Sequence, residues 1–409
     1  MRTVCARFLA YLVAALPVAS CSDDADGPVV KIHDPVPVEK TADAAIYAHM
    51  MPWFETPASN NGAWGIHWTM ANRNPEVVDA STGTRQIASH FYPLIGPYAS
   101  GDPDVIEYQL LLMKYAGIDG VLIDWYGTID LYDYAANEKN TRKIVTLASK
   151  VGLKYALVYE DRTIATALDA GKISNGVTAA KADMQFISAN YMNSSSYLEV
   201  DGKPVLLVFG PQYFHSEPEW NDIFSVFPVK PHFWTLWYES GEAGANATGE
   251  YAWVYQDQNS HDTHLSNFYN RSITRTKVGS AYPGFRDFYK QGGWGENYFL
   301  IEHNGTATFE QTLDLALENA THIQLNTWND YGEGTMIEPT AEFGYAYLTT
   351  LQSALGVPYS LTELELIARL YSLRKKYSDI ETNHQLDQAF NYLVSLKITD
   401  ASAILSSIE

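Results

Sequence analysis

Two acids three positions apart, Asp330 and Glu333, stand in the stretch "NTWNDYGEGTMIEPT" at 326–340, with Trp328, Asn329, Tyr331, Gly332 and Gly334 around them. An i,i+3 spacing brings two such carboxyls close together in a turn. Burial and mutual repulsion then drive their proton affinities apart. One stays protonated and donates; the other ionises and assists attack. That is the division of labour that breaking a glycosidic bond requires. The flanking glycines let the backbone take a positive φ or approach a ligand closely. The same residues would also build a sugar-binding turn, and the pair alone leaves both readings open.

Such a pair needs a scaffold. Eight short apolar runs recur along the chain, at 44–51, 120–126, 155–160, 204–210, 232–238, 251–256, 277–284 and 322–328. They are continuous rather than alternating, as in parallel strands covered on both faces. Helical patterns fall between them at 102–117, 137–152, 177–192, 307–320 and 342–356, the first opening on Asp102-Pro103. Eight strands alternating with helices predict an α/β chain folded as a (β/α)8 TIM barrel. The other candidate, a doubly wound sheet, often carries a G-x-G-x-x-G fingerprint that is absent here. Residues 53–101 read as a long first βα loop, and 361–409 as helices without a strand. The expected division is a leader (1–20), a tether (21–42), the barrel (43–358) and a small C-terminal helical appendage (359–409).

Barrels of this kind carry chemistry at the C-terminal ends of their strands. Polar and aromatic residues gather at those positions: His49 and Trp53 after the first run, Asp124, Trp125 and Tyr126 after the second, Glu160 after the third, Tyr238 after the fifth, Tyr282 after the seventh, and Trp328, Asn329, Asp330 and Glu333 after the eighth. Trp53, Trp125, Tyr126 and Trp328 are expected to line sugar subsites, since a flat ring matches the apolar face of a pyranose. Asp124 and Glu160 are expected to hold hydroxyls. His49 and His67 read as hydrogen-bonding residues, because neither has a partner at metal spacing. Asp161 reads as a cap or an ion pair with Arg162. Each strand-end acid or ring, taken singly, is more often a cap or a core residue. The signal is their number on one face. No cofactor and no metal is implied.

Forty-eight acids against 27 bases give a net charge of −21, which argues against a nucleic-acid partner, since holding a phosphate backbone needs a basic face. The N-terminus has Arg2 and Arg7, an apolar run over 8–18, and "VASC" at 18–21. The run is too short to span a bilayer and reads as an export signal. "VASC" resembles a bacterial lipobox, which implies a lipid on Cys21 and a membrane anchor. "SDDAD" at 22–26 resembles the acidic tag of surface lipoproteins, or is a solvated linker. The expectation is an outer-membrane lipoprotein, facing the cell surface or the periplasm. Cys5 and Cys21 are the two cysteines, so no thiol is left for a disulfide or zinc site.

Two stretches resemble glycoside hydrolase families 71 and 99, and most closely their 71/99-like bacterial group. "GPYASGDPDVIEYQLLLMKYAGIDGVLIDWYG" at 96–127 is similar to a family 99 segment. "TWNDYGEGTMIEP" at 327–339 is similar to the "WNDYGE" of family 71 and the "WNEWHEGTQIEP" of family 99. "VYED" at 158–161 and "YPGFRDFY" at 282–289 match more weakly. The resemblance implies a (β/α)8 endo-hydrolase of α-linked glycans, of α-mannan or α-1,3-glucan type. It implies Glu333 as general acid and Asp330 as its partner, with Trp125 and Glu160 near the cleaved sugar. In family 99 the partner is Glu and takes the 2-hydroxyl proton, giving retention; Asp at 330 agrees with family 71, which inverts. The segment 49–56 departs from family 99, so substrate choice does not carry over. The competing reading is a surface glycan-binding lipoprotein that keeps the cleft without catalysis.

Overall fold

The computed structural model describes residues 30–408; the expected leader, Cys21 and the tether through residue 29 lie outside them. The eight parallel strands are β1 (Ala45–Met50), β2 (Gly120–Trp125), β3 (Lys154–Tyr159), β4 (Lys203–Val208), β5 (His232–Leu236), β6 (Ala247–Tyr251), β7 (Thr276–Ala281) and β8 (His322–Leu325). Each pairs with the next in parallel. β3 pairs with β4 through Leu157 and Leu206, and β1 pairs with β8 through Ala45 and His322, so the sheet closes into a ring. This is a (β/α)8 barrel.

Helices cover the outside: α1 (Pro103–Tyr115), α2 (Tyr134–Val151), α3 (Arg162–Asp169), α4 (Gly176–Asn190), α5 (Glu217–Ile223), α6 (His261–Tyr269), α7 (Ala307–Asn319) and α8 (Ala346–Leu355). The start of α1 follows from its sequence: Asp102 accepts from the backbone of Asp104, and Pro103 occupies a position where no N–H is needed. Between β5 and β6 only a four-residue helix, Ser240–Ala243, and a short 3-10 turn intervene.

Two features depart from the sequence pattern. The sixth strand runs 247–251 rather than 251–256. Its fourth residue, Glu250, is fully buried, neutralised by Arg271 and accepting from Ser240, so the strand lacks the continuous apolar run that its successor shows. An antiparallel two-residue strand at Glu199–Val200 also folds back on β4.

Three further helices follow, α9 (Leu361–Lys376), α10 (Ile380–Val394) and α11 (Ile398–Ser407); α9 packs against α1, and α10 and α11 pack on α9 and on each other. Arg374 of α9 holds Glu107 of α1 in a two-pronged contact at 3.0 and 3.1 Å, and also reaches Asp387 at 2.6 Å. A bidentate pair of this kind is both strong and directional. It fixes the helix that delivers the chain into β2. Removing one partner of a buried pair strands the other charge, at a cost of about 3–5 kcal/mol. Arg374→Ala should therefore lower the urea midpoint strongly, while Glu107→Leu/Arg374→Met should recover most of it; equal losses from both would show that the pair carries no such weight.

Candidate active site

The chain leaving β8 doubles back tightly. Thr327 donates to Thr335 at 2.8 Å, Ile337 to Thr327 at 3.0 Å and Glu338 to Trp328 at 2.9 Å, all backbone to backbone. Inside this loop the Asp330 N–H is held by the Thr327 hydroxyl at 2.8 Å, and the Asp330 carboxylate accepts from the Glu333 N–H at 2.9 Å. Gly334 has φ +68, and a Cβ there would sit 2.7 Å from the Arg286 carbonyl, so only glycine fits. Gly332 has no such positive φ. The chain after β7 zips onto the same loop, Arg286 donating to the Glu333 carbonyl and Phe288 to that of Gly332, both at 2.8 Å.

The loop is also tied to the first strand. Asn329 is fully buried; its side chain accepts from Met51 N–H at 2.8 Å and donates to Met51 C=O at 3.0 Å and to Tyr98 at 3.1 Å. Beneath, Glu338 accepts from Tyr98 at 2.8 Å, Tyr331 at 2.9 Å and Gln109 at 2.6 Å. Burial pushes Glu338 up to about 7, against the pull of these donors.

The two acids differ electrostatically. Burial raises Asp330 to about 6, opposed by the N–H groups of Glu333 and Gly332 and by His67. Glu333 is raised much further, by burial first and then by the negative charge of Asp330, although Tyr289 donates to it at 3.1 Å. Backbone N–H groups stabilise an ionised Asp330, and an ionised Asp330 keeps the proton on Glu333. A second carboxyl pair lies nearby. Glu160 is raised to about 8, by burial and then Asp161; Asp124 is raised well above its usual range, by burial and then Glu160 and Asp330.

A cleft of about 900 Å3 opens over these groups, lined by Trp53, Trp64, His67, Tyr126, Glu160 and Trp294 among others. An inner pocket of about 180 Å3 shares Trp53, His67, Met70, Tyr126 and Trp294 with it, and adds Tyr289, Asp330 and Gly332. Trp53 stacks on His67 at 4.2 Å and 6°, and His67 is fixed by Asp133 at 3.0 Å. The Trp53 indole N–H is buried without a partner among the described residues, and so is one oxygen of Asp124.

The sequence-predicted residues therefore divide. Trp53, His67, Tyr126, Glu160 and Asp330 line the cleft or its inner pocket, with Glu333 beside Asp330. Trp125 does not reach it. Side chains alternate along a strand, and Trp125 points outward, stacking on Phe186 of α4 and donating to Glu138 of α2 at 2.6 Å. Trp328 is wholly buried in the core. Tyr282 is buried too, its hydroxyl 2.9 Å from His261. His49 sits inside the barrel near Gln324 at 3.4 Å and against Trp253. Asn329 positions backbone, as above. Tyr238 is 53% exposed, covered on one face by Arg271, and is absent from the cleft lining. Asp161 pairs with no arginine; it binds the N–H groups of Gln212, Tyr213 and Phe214 at 2.9–3.2 Å. Sequence reasoning missed Tyr289, Trp294 and Tyr132. Only Tyr289 left a trace, as the last residue of "YPGFRDFY".

A closed (β/α)8 barrel with a carboxyl pair beneath an aromatic cleft at its strand ends is an arrangement suited to glycoside hydrolysis. Residues 41–228 match the model of glycosyl hydrolase family 99, so this stretch of the chain is similar to that family. It is 23% identical to WxcX, an uncharacterised protein of Xanthomonas campestris, across 98% of this chain. The chain spans 62% of that relative's length. A glycoprotein endo-α-1,2-mannosidase-like protein of Danio rerio is 30% identical over 82 residues, 18% of each chain. The solved family 99 endo-α-mannosidase of Bacteroides thetaiotaomicron superposes with a TM-score of 0.58 at 18% identity, over 83% of this chain and all of that one, and shares its fold.

The buried acids set a sign for stability against pH. A carboxyl raised in the folded state keeps its proton where the unfolded chain has already released it. Rising pH therefore favours unfolding, from the ordinary carboxylate range up through the folded values. For Asp330, Glu338 and Glu160 those values are about 6, 7 and 8. The melting temperature should fall between pH 5 and about 8, and Glu160→Gln should flatten its upper part; a melting temperature that rises across this range would contradict the assignment.

Proposed function

We propose that this chain is a glycoside hydrolase acting on internal α-linkages of a polysaccharide or oligosaccharide, with Glu333 as general acid and Asp330 as its ionised partner. The observation that carries this reading is the split in proton affinity between Asp330, which lines the inner pocket of an aromatic cleft, and Glu333 beside it. The names of the relatives add support for an α-mannoside, and the Asp at 330 leaves α-1,3-glucan beside it.

In the proposed reaction the Glu333 proton passes to the glycosidic oxygen as its bond to C1 breaks. Asp330 takes a proton either from water attacking C1, giving inversion, or from the sugar 2-hydroxyl, whose oxygen then closes on C1. In the second route Glu333, now ionised, takes a proton from water as that water opens the three-membered ring. Asp330 then returns its proton to O2, and the net outcome is retention. Tyr289 steadies Glu333 in its charged phase, since a hydrogen bond to a carboxylate favours ionisation. Trp53 and Tyr126 offer ring faces, and the unpartnered Trp53 N–H offers a donor to a hydroxyl.

Glu333→Gln should lower hydrolysis of α-mannan or α-1,3-glucan by about 10²–10⁴-fold while leaving glycan binding in place. Wild-type activity should fall as pH drops through about 6, where Asp330 gains its proton. Wild-type protein that binds either glycan and never releases reducing ends would overturn the enzyme and leave a binding protein. Proton NMR of the first-formed anomer separates the routes, an α-anomer marking retention and a β-anomer inversion.

We also propose the lipid anchor at Cys21, on the strength of the lipobox-like "VASC" alone. Cys21→Ser should move the protein from the membrane to the soluble fraction; no change on fractionation would remove the anchor.

A further inference from the structure

A second pocket, of about 390 Å3, lies on the same barrel face. Its lining comes from the β1–α1 loop (Arg73, Arg85, His90, Tyr92), from Phe288 after β7 and from Glu342 after β8. Phe288 separates it from the catalytic turn, donating its N–H to Gly332 while its neighbour Tyr289 holds Glu333. The two sites are thus back to back across one segment of chain.

The charges of this pocket are unusual for the protein. Acids outnumber bases 48 to 27, yet neither Arg73 nor Arg85 has a carboxylate within salt-bridge distance among the described residues. Both are half-buried and held by ring faces, Arg73 over Phe288 at 4.8 Å and Arg85 over Trp64 at 5.4 Å. A guanidinium stacked on a ring has its plane fixed and its N–H edge free to grip an oxyanion. Among the described residues each guanidinium makes a single hydrogen bond, Arg73 to the Asn72 carbonyl at 3.3 Å and Arg85 to that of Pro75 at 2.8 Å, which leaves most of ten N–H donors open.

Two carboxylates oppose them. Glu342 accepts from the Tyr92 N–H at 3.0 and 3.3 Å, and Asp287 accepts from the backbone N–H groups of Tyr289 and Tyr298 at 3.1 and 2.9 Å. Arg286 adds a third positive charge, also without an ion pair among the described residues. The excess reaches His90, which is held below its ordinary value by burial first, then by Arg286 and, more weakly, by Arg73.

We propose that this pocket binds an oxyanion carried on a sugar, either the carboxylate of a uronic acid or a phosphate ester, within the glycan whose neighbouring units occupy the cleft. The guanidinium edges of Arg73 and Arg85 grip the anion, and the rings beneath them hold the grip in place. The proposal rests on the glycan reading of the cleft, and its test separates the two.

NMR titrations of the full chain with glucuronate, glucose 6-phosphate, glucose and inorganic phosphate provide that test. One of the two anionic sugars should bind at least about ten-fold more tightly than glucose, the equivalent of one charge-assisted hydrogen bond, and should weaken as salt is raised. Which of them binds tells carboxylate from phosphate. Arg73→Gln/Arg85→Gln should lose that preference while keeping the wild-type melting temperature and the cleavage of a neutral glycan. Should the double variant not fold, Arg73→Gln alone, which leaves the Arg85–Trp64 contact intact, should still weaken the anionic sugar. Glucose binding as tightly as the anionic sugars, inorganic phosphate binding as tightly as the sugar phosphate, or undiminished binding to a folded variant would each overturn the site. Retained anionic-sugar binding in a wild-type chain that cleaves no glycan would sink the hydrolase and spare this pocket.

Discussion

Asp330 lies buried beside Glu333, where burial first and then the charge of Asp330 hold a proton on Glu333. That constraint organises the site. It assigns one proton to the pair, and the backbone decides which residue keeps it. Two N–H groups of the turn face Asp330, so Glu333 holds the proton. Everything that shapes the turn therefore bears on proton affinity: Thr327 under Asp330, Gly334 where a Cβ would strike the Arg286 carbonyl, and the β7 segment zipped along its edge. The buried Glu338 and its three donors form the floor on which this arrangement rests.

The scaffold answers a second requirement. A carboxyl whose proton affinity is raised by burial must stay out of bulk water, and yet in the proposed reaction a glycan has to reach it. The long β1–α1 loop resolves the conflict by carrying a small core of its own, with Phe54, Trp68, Ile87 and Phe91 packed against Tyr331 and Met336. That cluster seals one side of the catalytic turn. Its far edge supplies Trp53 and His67 to the cleft, and the same loop supplies Arg73 and Arg85 to the pocket behind.

Much of this could be read from the amino-acid order, and the failures have one physical origin. Continuous apolar runs gave seven of the eight strands nearly in place, because parallel strands are buried on both faces. The run at 251–256 misled, since the true strand hides a neutralised Glu250. Among candidate site residues, parity decided the outcome. Asp124 and Trp125 are adjacent, and a barrel sends adjacent side chains to opposite sides; no local pattern says which is inside. Trp125, Tyr282 and Trp328 were plausible sugar platforms by type and proved to be packing. Tyr289 and Trp294 come from an irregular loop, where no periodicity marks a residue's direction.

Asn329 grips both backbone groups of Met51, a residue 278 positions earlier in the chain. The catalytic turn thus sits on the seam where the last strand meets the first. Closing a loop of that length carries an entropic cost that the completed barrel must offset. A chain still emerging from the ribosome, or one crossing a membrane unfolded, carries both acids as ordinary solvated side chains, with no raised proton affinity between them. The raised proton affinities arise only when the ring is complete, so the fold itself would time the onset of the proposed chemistry.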